Sequence, residues 1–176
     1  IDNILNGGLA KGEIGVVLAP TGVGKTTLLT RYANSAFNLG YNVLQIFFED
    51  NPKIIQRKHF TCWTGIPSQE LGEHKETVLD KADEMKKIGG RLILKKLPSD
   101  DMTMLQIKNQ VRKVMAEGIK LDMVLIDYID CILPDRAFND EWKGEGSVMR
   151  KFEGMCHELN LVGWTATHGN RSSISS

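Results

Sequence analysis

Short, nearly continuous apolar runs alternate along the chain with stretches whose apolar residues recur at helical spacing, which predicts an α/β fold: a mainly parallel sheet flanked by helices on both faces. Two further observations agree. The runs at 43–48 and 121–126 are almost wholly apolar, as strands buried on both sides require. Polar residues follow the carboxyl ends of successive runs, at Thr21, Glu49, Asp127 and Thr167-His168, and open parallel sheets place their ligands at that edge.

Taken in order, residues 1–12 carry turn-forming glycines between short apolar stretches and lead into a first strand at 13–19. A helix is expected from Gly24 to about Leu39, with Leu28, Leu29, Tyr32, Ala33, Ala36 and Phe37 on its apolar side and Gly40 as its stop. The strand at 43–48 ends in Glu49-Asp50-Asn51-Pro52, where Asp50 or Asn51 can cap a helix that has Pro52 in its first turn and runs to about Trp63. From Pro67-Ser68 onward Leu71, Val78, Ala82 and Met85 mark a further helix, largely solvated. The strand at 91–97 is more polar at its end and is expected near a sheet edge. An amphipathic helix at 102–117 rests on Met104, Ile107, Val111 and Val114, and Gly118 closes it. The strand at 121–126 delivers Asp127. Residues 133–146, rich in Gly, Asp and Asn, read as a mobile loop, followed by a helix carried by Val148, Phe152, Met155 and Leu159 that ends at Asn160. A final strand at 161–167 leads to His168.

The 176 residues suit one domain, and 41% apolar content suffices for a full core. Twenty-two basic and 22 acidic residues cancel, so bulk charge gives no sign of a nucleic-acid partner, although a ring-shaped assembly can still gather local basic loops into a channel. Cys62, Cys131 and Cys156 are scattered with no Cys-x-x-Cys pair, which points to a reducing compartment and away from structural zinc. They are expected to pack as small apolar side chains. No apolar run approaches the roughly 20 residues that span a bilayer, and no signal peptide is evident, so a cytoplasmic protein, or one of the host cytoplasm if viral, is expected. The start at Ile1-Asp2-Asn3 and the polar tail at 171–176 lead us to expect residues 1–176 to be one domain of a longer polypeptide.

Ala19-Pro20-Thr21-Gly22-Val23-Gly24-Lys25-Thr26-Thr27 lies between the first strand and the first helix. A strand that turns through glycines into a helix aims backbone N–H groups and a helix N-terminus at one spot, where negative charge is favoured. The spacing is that of a phosphate-binding loop, with Ala19 where glycine is usual. Residues 20–27 are thus the nucleotide-binding candidates: Gly22 and Gly24 curve the backbone, Lys25 reaches the β- and γ-phosphates, and Thr26 ligates magnesium. Asp127, at the end of an apolar strand, fits the second side of that magnesium. Glu49 is the leading candidate to orient, or take a proton from, the water that attacks the γ-phosphate, with Asp50 beside it as the alternative.

Gly7-Gly8-Leu9 with Gly12-Glu13, residues 19–26, Phe47-Phe48-Glu49, Ile126-Asp127-Tyr128 and Thr167-His168-Gly169-Asn170-Arg171 together resemble the RecA-like ATPase domain of DnaB-type replicative helicases, phage members included. The resemblance runs through almost the whole chain. It implies a RecA-like P-loop NTPase that uses ATP and magnesium, with Glu49 as catalytic base and Asp127 supporting the metal. In that family a Gln ends the last strand, senses the γ-phosphate and relays its presence to DNA-binding loops; here His168 stands in its place, and histidine can also donate a hydrogen bond to phosphate. Lys25, Glu49 and His168 are therefore the catalytic candidates.

The resemblance also implies a homo-hexamer with nucleotide at subunit interfaces, a basic finger from the neighbouring subunit, single-stranded DNA as partner and a primase as a further one, with no membrane. The DNA-contacting loops would be 133–146, with Arg136, Lys143 and Trp142, and the tail from Arg171. The implied activity is ATP-driven translocation and duplex unwinding. Two rivals share the same motifs: a RecA- or KaiC-like recombinase or signalling ring, and a nucleotide-switched scaffold or loader that unwinds nothing.

Overall fold

The computed structural model describes residues 8–20, 22–99, 101–134 and 141–168. Its centre is a five-stranded sheet in the order β1-β5-β4-β2-β3, with every pairing parallel. The strands are β1 (Ile14–Leu18), β2 (Val43–Phe47), β3 (Leu92–Lys96), β4 (Met123–Asp127) and β5 (Val162–Thr167). Between them run α1 (Lys25–Asn38), α2 (Pro52–Thr64), α3 (Lys75–Met85), α4 (Met104–Ala116) and α5 (Glu141–Leu159), and a short 3-10 turn, Ile129–Cys131, follows β4.

The period-2 alternation of strand side chains sorts the core into two layers. Leu44, Ile46, Val124 and Ile126 face Ile107, Val111 and Val114 of α4 and Phe152 and Met155 of α5. Val43, Leu125 and Ala166 face Leu29, Ala33 and Phe37 of α1 and Met85 of α3. Helices thus cover both faces, as the alternation of strand and helix predicts. All five residues of β2 are buried because β4 and β3 flank it and helices cover it above and below. β3 pairs with β2 alone and is an edge strand, as its polar end suggests. The cysteines are free; Cys156 packs in the core, and Cys62 and Cys131 are half-buried.

Local chemistry sets the element ends that matter for the site. The Asn51 side chain, not that of Asp50, caps α2, accepting from Lys53 N–H at 2.9 Å with Pro52 at the first position. Gly65, at φ 74°, closes the same helix. Thr103 and Gln106 form a capping box at the start of α4.

Most element ends fall within about two residues of the sequence reading, and two boundaries differ by more. No helix begins at Pro67-Ser68: Glu70 N–H bonds to Pro67 O and Glu73 N–H to Glu70 O in successive turns, and α3 starts only at Lys75. Gly72 interrupts the run, and Leu71 is buried from a turn rather than from a helix face. The second difference concerns 133–146, whose last six residues already belong to α5. Gly144 sits one turn before Val148 on the buried face, and having no side chain it hides the helical period there. Residues 135–140 of that stretch lie outside the described residues.

Candidate nucleotide site

Four strand ends meet at the carboxyl edge of the sheet. Around a cleft of about 270 Å³ stand Gly22, Gly24, Lys25, Thr26 and Thr27 after β1, Glu49 and Asp50 after β2, Asp127 at the end of β4 with Tyr128 next to it, and His168 after β5. Residues distant in the chain converge because neighbouring parallel strands all deliver their carboxyl ends to the same rim. Of the remaining loop candidates, Pro20 and Val23 do not line the cleft, Val23 being 62% exposed. Thr21 lies outside the described residues.

The loop closes onto α1 through Gly24, whose φ of 96° is one that residues with a side chain rarely adopt. Gly24, the N-cap of α1, has no side chain to cap the helix, which leaves first-turn N–H groups for a ligand at the cleft. Lys25 is tethered by donation from Nζ to Ala19 O at 3.0 Å, and its ammonium stands 5.8 Å from the centre of the Tyr128 ring. A lysine held so, by one neutral acceptor among the described residues, can exchange that contact for a phosphate oxygen.

Thr26 Oγ1 donates to Asp127 Oδ1 at 3.3 Å. Burial pushes the Asp127 carboxyl up to about 6; the Thr26 hydroxyl and Lys58 pull the other way, and Asp50 and Glu49 add to the rise. A hydroxyl and a carboxylate side by side at the mouth of this glycine-bearing turn form an all-oxygen pair of the kind magnesium takes, along with phosphate and water oxygens. The residues fit the ion.

Glu49 Oε1 accepts from the Tyr128 hydroxyl at 2.8 Å, and burial together with that donation to Glu49 holds the phenol well above its ordinary range. Asp50 forms an ion pair with Lys58 Nζ at 2.9 Å. His168 is held by Asp130, and its ring meets the Tyr128 ring edge-on at 4.6 Å between centres.

Lys58 and Asp130 had no part in the sequence reading, which marked Tyr128 only as a member of the Ile126-Asp127-Tyr128 motif, with no chemistry assigned to it. A role for Tyr128 could have been found there, since it directly follows Asp127. Arg57-Lys58 offers two adjacent cations and no sign of which one turns inward, and nothing in the sequence marks Asp130 as a partner of the last strand. Lys143 lies in the first turn of α5, 5.3 Å from the centre of the exposed Trp142 ring and away from the cleft. Arg136 and Arg171, and the Gly169-Asn170 pair, lie outside the described residues. No described helix is long and apolar enough to cross a membrane.

Comparison with known proteins gives a concordant result. The family model described as the DnaB-like helicase C terminal domain matches residues 1–163. Among solved structures, one of a DnaB-like replicative helicase studied with its interactions with primase superposes with a TM-score of 0.78 at 15% identity, over 95% of this chain and 41% of that one. The ATPase domain of G40P superposes with a TM-score of 0.77 at 16% identity, over 96% of this chain and 61% of that one. At such identities the likeness establishes the fold, and the chain spans less than two thirds of the length of either structure. A search of curated proteins returns no match.

Proposed function

The chain belongs to the DnaB-like helicase C-terminal domain family, and from that premise we propose that it is the ATP-hydrolysing motor domain of a replicative DNA helicase, coupling turnover to translocation on single-stranded DNA and to duplex unwinding. One observation carries the reading: Lys25, Thr26, Glu49 and Asp127, supplied by three different strand ends, line a single cleft. Family membership alone gives no residue a role, and this convergence supports the assignments that follow.

Gly22, Gly24 and the α1 N-terminus bind the polyphosphate, and Lys25 leaves Ala19 O for the β- and γ-phosphates. Thr26 and Asp127 hold magnesium, which when bound neutralises charge on the phosphate oxygens. Glu49, oriented through Oε1 by Tyr128, keeps its other oxygen for the attacking water and takes its proton as the bond to the γ-phosphorus forms and the bond from that phosphorus to the β,γ-bridging oxygen breaks, releasing ADP. His168 reads the γ-phosphate. Lys143 and Trp142, with Arg136 and Arg171, contact single-stranded DNA, through phosphate pairing and stacking. A homo-hexamer with nucleotide between subunits, a primase partner and a cytoplasmic setting accompany this role.

The test uses the full-length protein. Phosphate release stimulated by single-stranded DNA and ATP-dependent strand displacement are expected, and Glu49→Gln should abolish both while magnesium-ATP still binds. Filament formation without strand displacement would favour a recombinase-like role. Binding without phosphate release would leave a nucleotide-switched scaffold.

A further inference from the structure

Asp130 lies in the 3-10 turn that follows β4, and its carboxylate gathers the end of β5. Its Oδ1 accepts from Thr167 Oγ1 at 2.5 Å, and its Oδ2 accepts from His168 N–H at 2.8 Å and meets the same residue's Nδ1 at 2.7 Å. An ionised carboxylate can only accept, so the Nδ1 atom carries a hydrogen. In the neutral imidazole the other nitrogen, Nε2, is then a bare lone pair. Among the described residues Nε2 has no hydrogen-bond partner, and His168 lines the cleft beside the phosphate-binding loop.

Phosphate oxygens are also acceptors. A neutral His168 in this tautomer would set its lone pair against theirs, whereas an imidazolium would donate from Nε2 to the phosphate and from Nδ1 to Asp130. A glutamine in the same place would donate from its amide with no change of charge. We propose that Asp130 is a positioning residue that fixes the tautomer of His168 and thereby couples recognition of the γ-phosphate to the uptake of one proton. The proton comes from solvent, resides on Nε2 while the phosphate is present, and returns when it leaves. This inference rests on the reading of the cleft as an ATP site with His168 at the γ-phosphate.

Other charged groups face the same space: Lys25 from α1, Glu49 and Asp50 after β2, Lys58 from α2, Asp127 from β4 and the Tyr128 phenol beside the ring. Protons that these groups or the ligand exchange are common to the wild type and a His168 variant, so the comparison isolates the imidazole. Titration calorimetry of the full-length protein in two buffers of different ionisation enthalpy counts the protons, at about pH 7.5. The ligands are a slowly hydrolysed ATP analogue and ADP, each with magnesium.

The wild type should take up close to one more proton with the analogue than with ADP. His168→Gln should bind the analogue without that excess. Asp130→Asn, which keeps an acceptor for Nδ1 but loses the charge behind it, should show less than half of the excess, and it serves as the second variant should the first fold poorly. Equal excess in wild type and His168→Gln, or no excess in the wild type, would overturn the proposal while leaving the ATP site intact. Analogue binding that Lys25→Ala does not weaken would overturn both.

Discussion

The Tyr128 hydroxyl donates to Glu49 Oε1 at 2.8 Å, joining the residue after β4 to the carboxylate after β2. The contact leaves one oxygen of Glu49 for water, and it fixes the direction in which that oxygen points. A hydrogen bond to a charged group contributes about 1.5–3 kcal/mol. Removing it by Tyr128→Phe should lower kcat about tenfold or more, with the KM for ATP little changed. In a Glu49→Gln background the same substitution should have no further effect. Full kcat in Tyr128→Phe, with Glu49→Gln inactive, would show that the base needs no such partner.

Asp127 carries a cost in the nucleotide-free protein. Its carboxyl is raised from 3.8 to about 6 by burial, so between these values the folded protein binds a proton that the unfolded chain does not. Stability contributed by the protonated form is complete below the lower value and lost as pH rises through about 6; the shift corresponds to roughly 3 kcal/mol. Asp127→Asn should therefore raise the Tm of the nucleotide-free protein above pH 7 and abolish further stabilisation by magnesium with ATP. In the wild type, that stabilisation should weaken as pH falls below about 6, because a protonated carboxyl is a poor magnesium ligand. An Asp127→Asn protein no more stable than wild type without nucleotide would refute the burial cost.

The strands and the polar residues at their ends were legible because a buried parallel strand allows almost no polar residue until it leaves the sheet, so 43–48 and 121–126 point directly at Glu49 and Asp127. The turn from β1 into α1 was legible because its backbone curvature demands glycines, Gly22 and Gly24, at fixed offsets. Asp130 was not, since its partner lies 38 residues away and the pairing exists only because β4 and β5 are neighbours in the sheet. The start of α5 escaped because Gly144 takes a buried position with no side chain to signal it.

Gly163 in β5 lies between β1 and β4, paired with Ile14 on one side and Val124 on the other. A Cβ there would come within 2.6 Å of Cys156 Sγ and 2.8 Å of both Ile14 Cγ2 and Phe152 Cζ. These neighbours are packed core, and overpacking of this kind costs about 1–3 kcal/mol. Gly163→Ala should lower the denaturant midpoint accordingly. Gly154, exposed in α5 with nothing within 4 Å of its would-be Cβ, offers the contrast. There alanine should stabilise by about 0.5–1 kcal/mol through helix propensity. Equal effects at the two glycines would contradict the packing.

His59 is 1% exposed, between α1 and β2, with Nε2 at 2.9 Å from the Gln45 side-chain amide and Nδ1 at 3.2 Å from Asn34 Oδ1. Asn34 Oδ1 also accepts from Trp63 Nε1 at 2.6 Å. A neutral imidazole donates from one nitrogen only, so Nδ1–H serves Asn34. The Gln45 amide, turned to bring its otherwise unpaired nitrogen to Nε2, then supplies the remaining hydrogen. Every ring atom is satisfied without charge, and burial lowers the pKa from 6.5 to about 4. Between these values the unfolded chain binds a proton that the folded protein refuses, so the stability present above pH 6.5 is lost as pH falls toward 4, by roughly 3 kcal/mol in all. Urea midpoints measured at about pH 7 and about pH 4.5 should show a larger acid loss in the wild type than in His59→Gln, which keeps an amide but cannot titrate there. Parallel losses in the two proteins would mean that His59 is not the residue that takes up the proton on unfolding.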